Sequence, residues 1–252
     1  MKVPFSHNYK VVIAYDGTQY SGWQVQPNAT SIQQLIQEAI AVIVRHEVNL
    51  IGSGRTDAGV HALGQVAHFK CHHEIDCYRF LASINGLLPK DIRVLQIEEV
   101  ELAFHAQRSA VSKIYHYHLY LGKVQLPFNR LYSYHVHEKI DLGLIEKAIP
   151  YFIGKHDFTS FTNEHRSGVA AINPVRTLER LDMRAEEHGV RLEFQSEGFL
   201  YKMVRNIVGT LLDIGSGKMQ VAEIEAIFAA KDRRKSGRAA PPQGLFLVQV
   251  FY

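Results

Sequence analysis

The sequence predicts an α+β protein of two similar lobes, each with largely antiparallel strands flanked by helices. Each half of the chain contains several short segments with the two-residue alternation of strands. Each half also contains one long segment whose apolar residues recur at the 3.6-residue period of a helix. Charge divides the chain near the same place, since residues 1–105 carry a net charge of −2 and residues 106–252 one of +5. We therefore expect an N-terminal lobe over 1–105 and a C-terminal lobe over 106–252.

Composition excludes several classes of protein. The 252 residues are 46% hydrophobic, which is typical of a globular chain and excludes general disorder. No segment approaches the ~20 consecutive apolar residues of a membrane span, and the N-terminus has no apolar signal segment. The two cysteines, Cys71 and Cys77, are too few for a disulfide framework, so we expect a reduced, cytoplasmic protein. The net charge of +3 does not by itself indicate a nucleic-acid partner.

In the N-terminal half, strands are predicted over 9–14, 48–51, 66–69 and 94–100. The clearest helix has apolar residues at i, i+3, i+4 and i+7 from Ile32 to Val44, and Thr30 with Gln33 predicts a capping box at its start. A second helix is predicted from Cys77, with Asp76 as its N-cap.

In the C-terminal half, strands are predicted over 114–121, 177–184, 190–195 and 244–252, and a short helix over 144–149. A second long amphipathic helix is predicted over 200–212, with Lys202 and Arg205 at positions outside its apolar face. The segment Gly215-Ser-Gly-Lys218 lacks the first glycine and the Ser/Thr of a phosphate-binding loop, so we expect a helix C-cap and turn there.

A glycine-rich loop after a predicted strand is the candidate site. Residues 52–59 contain three glycines, with Arg55 and Asp57 between them. Glycines permit tight turns and close approach of the backbone to a ligand, and loops on a rigid scaffold often present reactive groups. Two interpretations stay open on these residues alone: a reactive carboxylate, or a structural turn in which Asp57 accepts backbone hydrogen bonds.

Two other clusters contain side chains that often bind ligands. Cys71, His72, His73 and Cys77 offer zinc ligands, but their spacing matches no common zinc pattern, so we expect core packing and no metal. Tyr115 and Tyr117 lie on one face of a predicted strand, with cations nearby at Lys113, Lys123 and Arg130 and a basic run over 231–238. Such a pattern suits stacked bases and bound phosphates, and it is also typical of an ordinary strand beside a solvated charge run.

Several segments in order resemble the bacterial tRNA pseudouridine synthase A (TruA) family. They are AYDGTQYSGWQ at 14–24, GRTDAGVHA at 54–62, QVAHF at 65–69, NGLLPKDI at 85–92, HAQRSA at 105–110, HDFTSF at 156–161, FLYKMVRNIVG at 199–209 and Gly244-Leu245. The resemblance spans nearly the whole chain and implies the pseudouridine synthase fold. It also implies an isomerase that converts uridine to pseudouridine at positions 38, 39 and 40 of the tRNA anticodon stem-loop, without cofactor or metal.

The resemblance also implies roles for individual residues. Asp57 matches the catalytic nucleophile. The resemblance leaves open whether its carboxylate attacks C1′ or C6 or assists proton removal at C2′. Tyr115 matches the tyrosine that stacks on the target uracil, Arg205 an arginine that can pair with the carboxylate, and Leu245 an apolar pocket residue. Arg55 matches the residue that assists base flipping.

The cations expected to bind RNA are Arg55, Arg108, Lys113, Lys123, Arg130 and Lys202. Arg108 is expected in place of an arginine that the family more often has one position earlier. The resemblance implies a homodimer that binds one tRNA across both subunits, with no membrane partner. Two rival functions remain: a non-catalytic RNA-binding module, and a metal-dependent hydrolase.

Overall fold

Ten β-strands and five α-helices form the regular structure of the described residues, 5–163 and 173–252, in a computed structural model. The described part of the chain divides into two units. The first covers the described residues 5–111 and 246–252, and the second the described residues 112–163 and 173–245. The predicted α+β class is confirmed.

The first unit is a sheet with four strand pairings, three antiparallel and one parallel. Its elements are β1 (His7–Tyr15), α1 (Ile32–Val44), β2 (Ile51–Gly52), β3 (His61–Cys71), α2 (Cys77–Leu87), β4 (Ile92–Val100) and the C-terminal β10 (Leu245–Phe251). β1 lies between β3 and β4 and is antiparallel to both. β2 is antiparallel to β3, and β10 is parallel to it.

The second unit is an antiparallel sheet with three helices. Its elements are β5 (Ser112–Tyr120), β6 (Tyr134–His135), α3 (Leu142–Ala148), β7 (Gly154–Asp157), β8 (Val175–Glu186), β9 (Gly189–Ser196), α4 (Met203–Gly215) and α5 (Glu223–Ala230). The strand order is β5-β9-β8-β7, and the short β6 is parallel to β5. The predicted turn between β8 and β9 is present. The helix α5 and the strand β7 were not predicted.

The boundary between the units lies after Val111, whereas the sequence predicts it after residue 105. Residues 106–111 and the last strand belong to the first unit. The backbone explains this, because the Val111 N–H donates to the Phe251 carbonyl at 2.9 Å and Phe246 pairs with His61 of β3. A pairing between residues so far apart in sequence leaves no local signal.

The start of α1 corrects the predicted capping box. The N-cap is Ser31, whose side chain accepts from the Gln34 N–H, and not Thr30. Gln33 is turned inward, where its side chain accepts from the Val25 N–H at 2.9 Å and donates to the Leu50 carbonyl at 2.7 Å. These bonds also explain why the predicted strand over 48–51 shortens to Ile51–Gly52, since side chains of α1 bind the backbone of Leu50.

Helices α1 and α2 contribute apolar residues to the core of the first unit. Ile32, Ile36 and Ile40 of α1 are fully buried, as are Phe80 and Ile84 of α2. The predicted Asp76 cap of α2 is confirmed, because its carboxylate accepts from the Arg79 N–H at 3.1 Å. The predicted turn after α4 is also confirmed, with Gly217 at φ +76°.

Candidate active site

The loop that carries Asp57 comprises residues 53–60 and connects β2 to β3. Its first residues are fixed to the side of β3. The Ser53 N–H donates to the Val66 carbonyl at 2.7 Å, and the Ser53 hydroxyl donates to the Gln65 side chain at 2.8 Å. The Gln65 amide in turn donates to the Gly54 carbonyl at 3.0 Å. A fully buried glutamine therefore determines where the loop leaves the sheet.

The middle of the loop is fixed by residues that precede α1. The Tyr15 and Thr56 hydroxyls lie 2.8 Å apart in a buried hydrogen bond, and the Trp23 N–H donates to the Thr56 carbonyl at 3.1 Å. Burial raises the pKa of Tyr15 well above its usual value, so this hydroxyl keeps its proton at neutral pH. Thr56, which directly precedes Asp57, is therefore held through both its side chain and its backbone.

Two glycines allow this close approach. Gly22 has φ +91°, and a Cβ on it would lie 2.6 Å from the Thr56 carbonyl oxygen and 3.0 Å from the Asp57 carbonyl carbon. A Cβ on Gly17 would lie 2.0 Å from the Val60 carbonyl oxygen. The segment 14–24 and the loop 53–60 therefore pack backbone against backbone, which only glycine permits at these positions.

Exposure of the side chains alternates along the loop. Arg55 is exposed, Thr56 is buried and Asp57 is half-buried. The Asp57 carbonyl accepts from the Val60 N–H at 3.1 Å and closes a turn, with Gly59 at φ +76°. The arrangement presents a carboxylate and a guanidinium from a backbone that has little freedom to move, which suits a catalytic group that must be held in one geometry.

Tyr115, in the second unit, lies on β5 and is 8% exposed. Its ring meets the Phe199 ring edge-on, with centroids 5.0 Å apart. Lys113, two residues earlier on the same strand face, is half-buried, and burial lowers the pKa of its amine to about 8. β5 therefore presents an aromatic ring and a cation whose charge changes near neutral pH.

Arg205 and Tyr117 hold the segment that leads into Leu245. The Arg205 Nε donates to the Ala240 carbonyl at 2.7 Å, and the Ala240 N–H donates to the Arg205 carbonyl at 2.9 Å. The Tyr117 hydroxyl donates to the Pro241 carbonyl at 2.7 Å. Leu245 follows at the buried start of β10. Within the second unit, α4, β5 and the residues before β10 are therefore joined by direct contacts.

The remaining cations expected to bind RNA are spread over both units. Arg55 and Arg108 are exposed on the first unit, and Lys123 and Arg130 on the second. Arg130 donates to the Pro127 carbonyl at 2.7 Å. Lys202 is the N-cap of α4 with φ +60°, and its Nζ lies 5.0 Å from the centre of the Tyr201 ring.

The basic run over 231–238 is largely engaged within the protein. Lys231 pairs with Asp157 at 2.8 Å, and Arg234 pairs with Asp232 at 2.8 Å. Arg233 donates to the Asn206 side-chain oxygen at 2.7 Å. Arg233 therefore has a structural contact with α4, whereas the Lys231 and Arg234 side chains stay exposed beside their carboxylate partners.

Sequence reasoning missed the residues that position the loop. Tyr15, Gly22 and Gln65 stand in the motifs quoted above, but nothing local to them indicates which atoms they contact. Their partners lie 41 residues away for Tyr15 and 12 and 11 residues away for Gln65. Only the folded chain shows that the segment 14–24 is the support of the Asp57 loop.

The chain was compared with known proteins. The family model described as tRNA pseudouridine synthase matches residues 11–107 and 148–252. The tRNA pseudouridine synthase A 1 of Protochlamydia amoebophila (strain UWE25) is 61% identical over 247 residues, covering 98% of this chain and 96% of that protein. The enzymes named tRNA pseudouridine synthase A from Thermoanaerobacter sp. (strain X514) and Chlamydia trachomatis serovar L2b (strain UCH-1/proctitis) are 43% and 45% identical. The two alignments cover 97% and 95% of this chain, and 99% and 90% of the respective enzymes.

Among the described residues, no helix combines the length and the apolar character that crossing a bilayer requires.

The family match covers well over half of the chain, and the relatives align over almost all of it. The loop GRTDAGVHA lies within the first matched range and has the fixed backbone described above. The chain therefore belongs to the tRNA pseudouridine synthase A (TruA) family.

Proposed function

We propose that this protein isomerises uridine to pseudouridine at positions 38, 39 and 40 of the tRNA anticodon stem-loop, with Asp57 as the catalytic nucleophile. As a member of its family the chain is a tRNA pseudouridine synthase, an isomerase that acts on uridines of tRNA. The choice of the anticodon stem-loop and of Asp57 goes beyond that membership, and rests on the match of the motifs to the family pattern.

The reaction needs no oxidant and no cofactor. The N1–C1′ bond breaks, the uracil ring turns, the C5–C1′ bond forms, the C5 hydrogen leaves as a proton and N1 takes up a proton. Cleavage at C1′ develops positive charge on the sugar, which a nearby carboxylate stabilises or traps. A carboxylate can do this by attack at C1′ or at C6, or it can assist removal of the C2′ proton.

One structural observation supports the choice of Asp57 as the nucleophile, namely the way in which its loop is held. Thr56 is bonded to Tyr15 through its hydroxyl and to Trp23 through its carbonyl, and Gly22 packs against the backbone of Thr56 and Asp57. These contacts add to the hydrogen bond from the Val60 N–H to the Asp57 carbonyl that closes the turn itself. Fixed geometry is what a nucleophile needs, because misplacement by about 1 Å can cost ~10²-fold in rate.

The other residues are assigned to substrate binding. We assign Tyr115 to stacking on the target uracil, Arg205 to the carboxylate and Leu245 to an apolar wall of the uracil pocket. Exposed Arg55 is assigned to entry into the RNA, where a cation can hold a phosphate or fill the space of the extracted base. Arg108, Lys113, Lys123, Arg130 and Lys202 are assigned to the phosphate backbone.

We assign the protein to the cytoplasm and to a homodimer that binds tRNA without a membrane partner and isomerises uridine without a metal ion. A homodimer would place the cations of two copies along one tRNA. The expected molecular mass of the dimer is twice that of the 28.6 kDa chain, and light scattering of the free protein measures it.

The test is incubation with an unmodified tRNA transcript that carries uridine at positions 38, 39 and 40, followed by site-specific mapping of pseudouridine. We expect pseudouridine at these positions and none in a matched transcript in which the three uridines are replaced by cytidine. Pseudouridine elsewhere in the tRNA, with these three positions unchanged, would contradict the proposed target positions but would agree with the isomerisation itself. Binding without any pseudouridine favours the rival RNA-binding module.

A further inference from the structure

Three potential metal ligands meet at the end of β3 that is remote from the Asp57 loop. His46 follows the C-cap of α1, Cys71 is the last residue of β3, and His73 lies in the connection to α2. The Cys71 Sγ lies 3.4 Å from the His46 Nε2 and 3.8 Å from the His73 Nδ1. All three ligand atoms lie within 4.8 Å of one another.

These distances match those around a tetrahedral zinc ion. With Zn–S near 2.3 Å and Zn–N near 2.0–2.1 Å, a tetrahedral angle separates sulfur and nitrogen by about 3.6 Å. The two sulfur–nitrogen distances, 3.4 and 3.8 Å, lie on either side of this value. Binding an ion here requires only small changes of the side chains.

The orientation of His46 supports the same conclusion. Its Nδ1 lies 2.9 Å from the Glu47 carbonyl oxygen, which can only accept, so Nδ1 carries the proton. The other ring nitrogen, Nε2, then faces the Cys71 Sγ at 3.4 Å. A backbone carbonyl that binds the other ring nitrogen is the usual way in which proteins orient a histidine ligand.

We propose that His46, Cys71 and His73 form a zinc site, with water as the fourth ligand. Imidazole and thiolate are the ligands that Zn²⁺ prefers. Zn²⁺ displaces the thiol proton of Cys71, forming the Zn–S bond and releasing one proton, so affinity rises with pH. Exposed His73 provides the path of entry. The proposal departs from the expectation drawn from the sequence, which weighed Cys71 and His73 as ligands but not His46, because His46 lies 25 residues before Cys71.

The site acts on stability and not on the isomerisation. β3 has 11 residues, so its two ends lie on the order of 30 Å apart, and the zinc ligands are remote from Asp57. The ion joins the chain after α1 to the chain after β3. A ligand that binds only the folded state stabilises it, so zinc raises the melting temperature of the protein.

The test uses the full chain under reducing conditions, freed of metal and titrated with Co²⁺ and then with Zn²⁺. We expect one Co²⁺ per chain, with thiolate-to-cobalt charge-transfer absorption that excess Zn²⁺ removes. Cys71→Ser should abolish this absorption. His73→Ala should weaken binding at least ~10-fold, since loss of even a group that orients a ligand costs ~10–100-fold.

Cys77→Ser is the matched control, because Cys77 is the other free thiol and lies outside the cluster. It should bind Co²⁺ like the wild type. His73 is exposed, so its variant reports on binding even if Cys71→Ser fails to fold. Zn²⁺ should raise the Tm of the wild type and of Cys77→Ser by more than it raises that of His73→Ala. The proposal is overturned by wild-type protein without charge-transfer absorption, or by absorption that depends on Cys77.

Discussion

The Asp57 loop and the surface formed by β5 and α4 are held in different ways. The loop is fixed through its own backbone, by the Trp23 N–H, the Gln65 side chain and the close packing of Gly22. The β5–α4 surface presents Tyr115 and Arg205 from regular elements, and their side chains make its contacts. The loop should therefore be sensitive to any added atom near its backbone, whereas the surface should be sensitive to the chemistry of single side chains.

The largest effect is expected from Gly22→Ala. The new Cβ would lie 2.6 Å from the Thr56 carbonyl oxygen, at a residue with φ +91°. Strain of this kind costs about 1–3 kcal/mol, and displacement of Asp57 should lower the turnover rate ~10²-fold or more. Urea unfolding and a single-turnover assay measure the two effects.

Gly86→Ala is the matched control, since a Cβ there meets nothing within 4 Å and the residue lies inside α2. It should leave the rate unchanged and stabilise the helix by up to ~1 kcal/mol. Equal rates for Gly22→Ala and the wild type would show that the backbone contact does not position the loop.

Tyr115→Phe tests the surface, because it keeps the ring and removes only the hydroxyl. If this hydroxyl accepts a proton during isomerisation, the turnover rate should fall by ~10²-fold with tRNA binding unchanged. Tyr117→Phe removes the hydrogen bond to Pro241 and should instead lower the free energy of unfolding by about 0.5–1.5 kcal/mol. A wild-type rate for Tyr115→Phe would reduce the role of Tyr115 to stacking.

Tyr15→Phe tests the loop through a side chain. The variant leaves the buried Thr56 hydroxyl without its tyrosine partner, so unfolding should become easier by about 0.5–1.5 kcal/mol and the rate should fall several-fold. Tyr9→Phe removes the hydrogen bond that the Tyr9 hydroxyl accepts from the Ile75 N–H at 2.8 Å, near the end of β1 that is remote from Tyr15. It should affect stability similarly but leave the rate of isomerisation unchanged; equal rate losses in both variants would argue against a specific role of the Tyr15–Thr56 bond.

The smallest expected effect is a pH dependence of tRNA affinity that arises from Lys113 on the β5–α4 surface. Burial lowers the pKa of Lys113 from 10.5 to about 8, so the amine is charged below that pH and loses its proton as the pH rises through it. Its charged fraction falls from about nine-tenths at pH 7 to about one-tenth at pH 9. The affinity for tRNA should therefore fall a few-fold over this range at constant salt.

Lys113→Gln should bind tRNA more weakly at pH 7 and lack this part of the pH dependence. Filter binding at the two pH values measures both. The same lowered pKa means that burial disfavours the charged amine, so the free energy of unfolding should rise as Lys113 loses its proton above pH 8. A wild-type pH dependence of binding in Lys113→Gln would exclude Lys113 as its source.

The two regions also differ in how far the sequence predicts them. The Asp57 loop is contiguous, and its glycines, cation and carboxylate are visible in eight residues. Helices α1 and α2 were predicted from their period, since periodicity is a local property. The contacts that matter most are not local. Tyr117 meets Pro241 across 124 residues, and β10 belongs to the first unit through its pairing with β3. His46 and Cys71 likewise meet only after folding.

The central claim is that Asp57 carries out the chemistry and is not needed for RNA binding. Asp57→Asn keeps the size of the side chain and removes its charge, and Asp57→Ala removes the carboxylate altogether. The decisive measurement is single-turnover formation of pseudouridine in an unmodified tRNA transcript, together with the dissociation constant for the same RNA. We predict that both variants form pseudouridine at least ~10³-fold more slowly and bind the tRNA within a few-fold of the wild type. Turnover at the wild-type rate in either folded variant would contradict the claim.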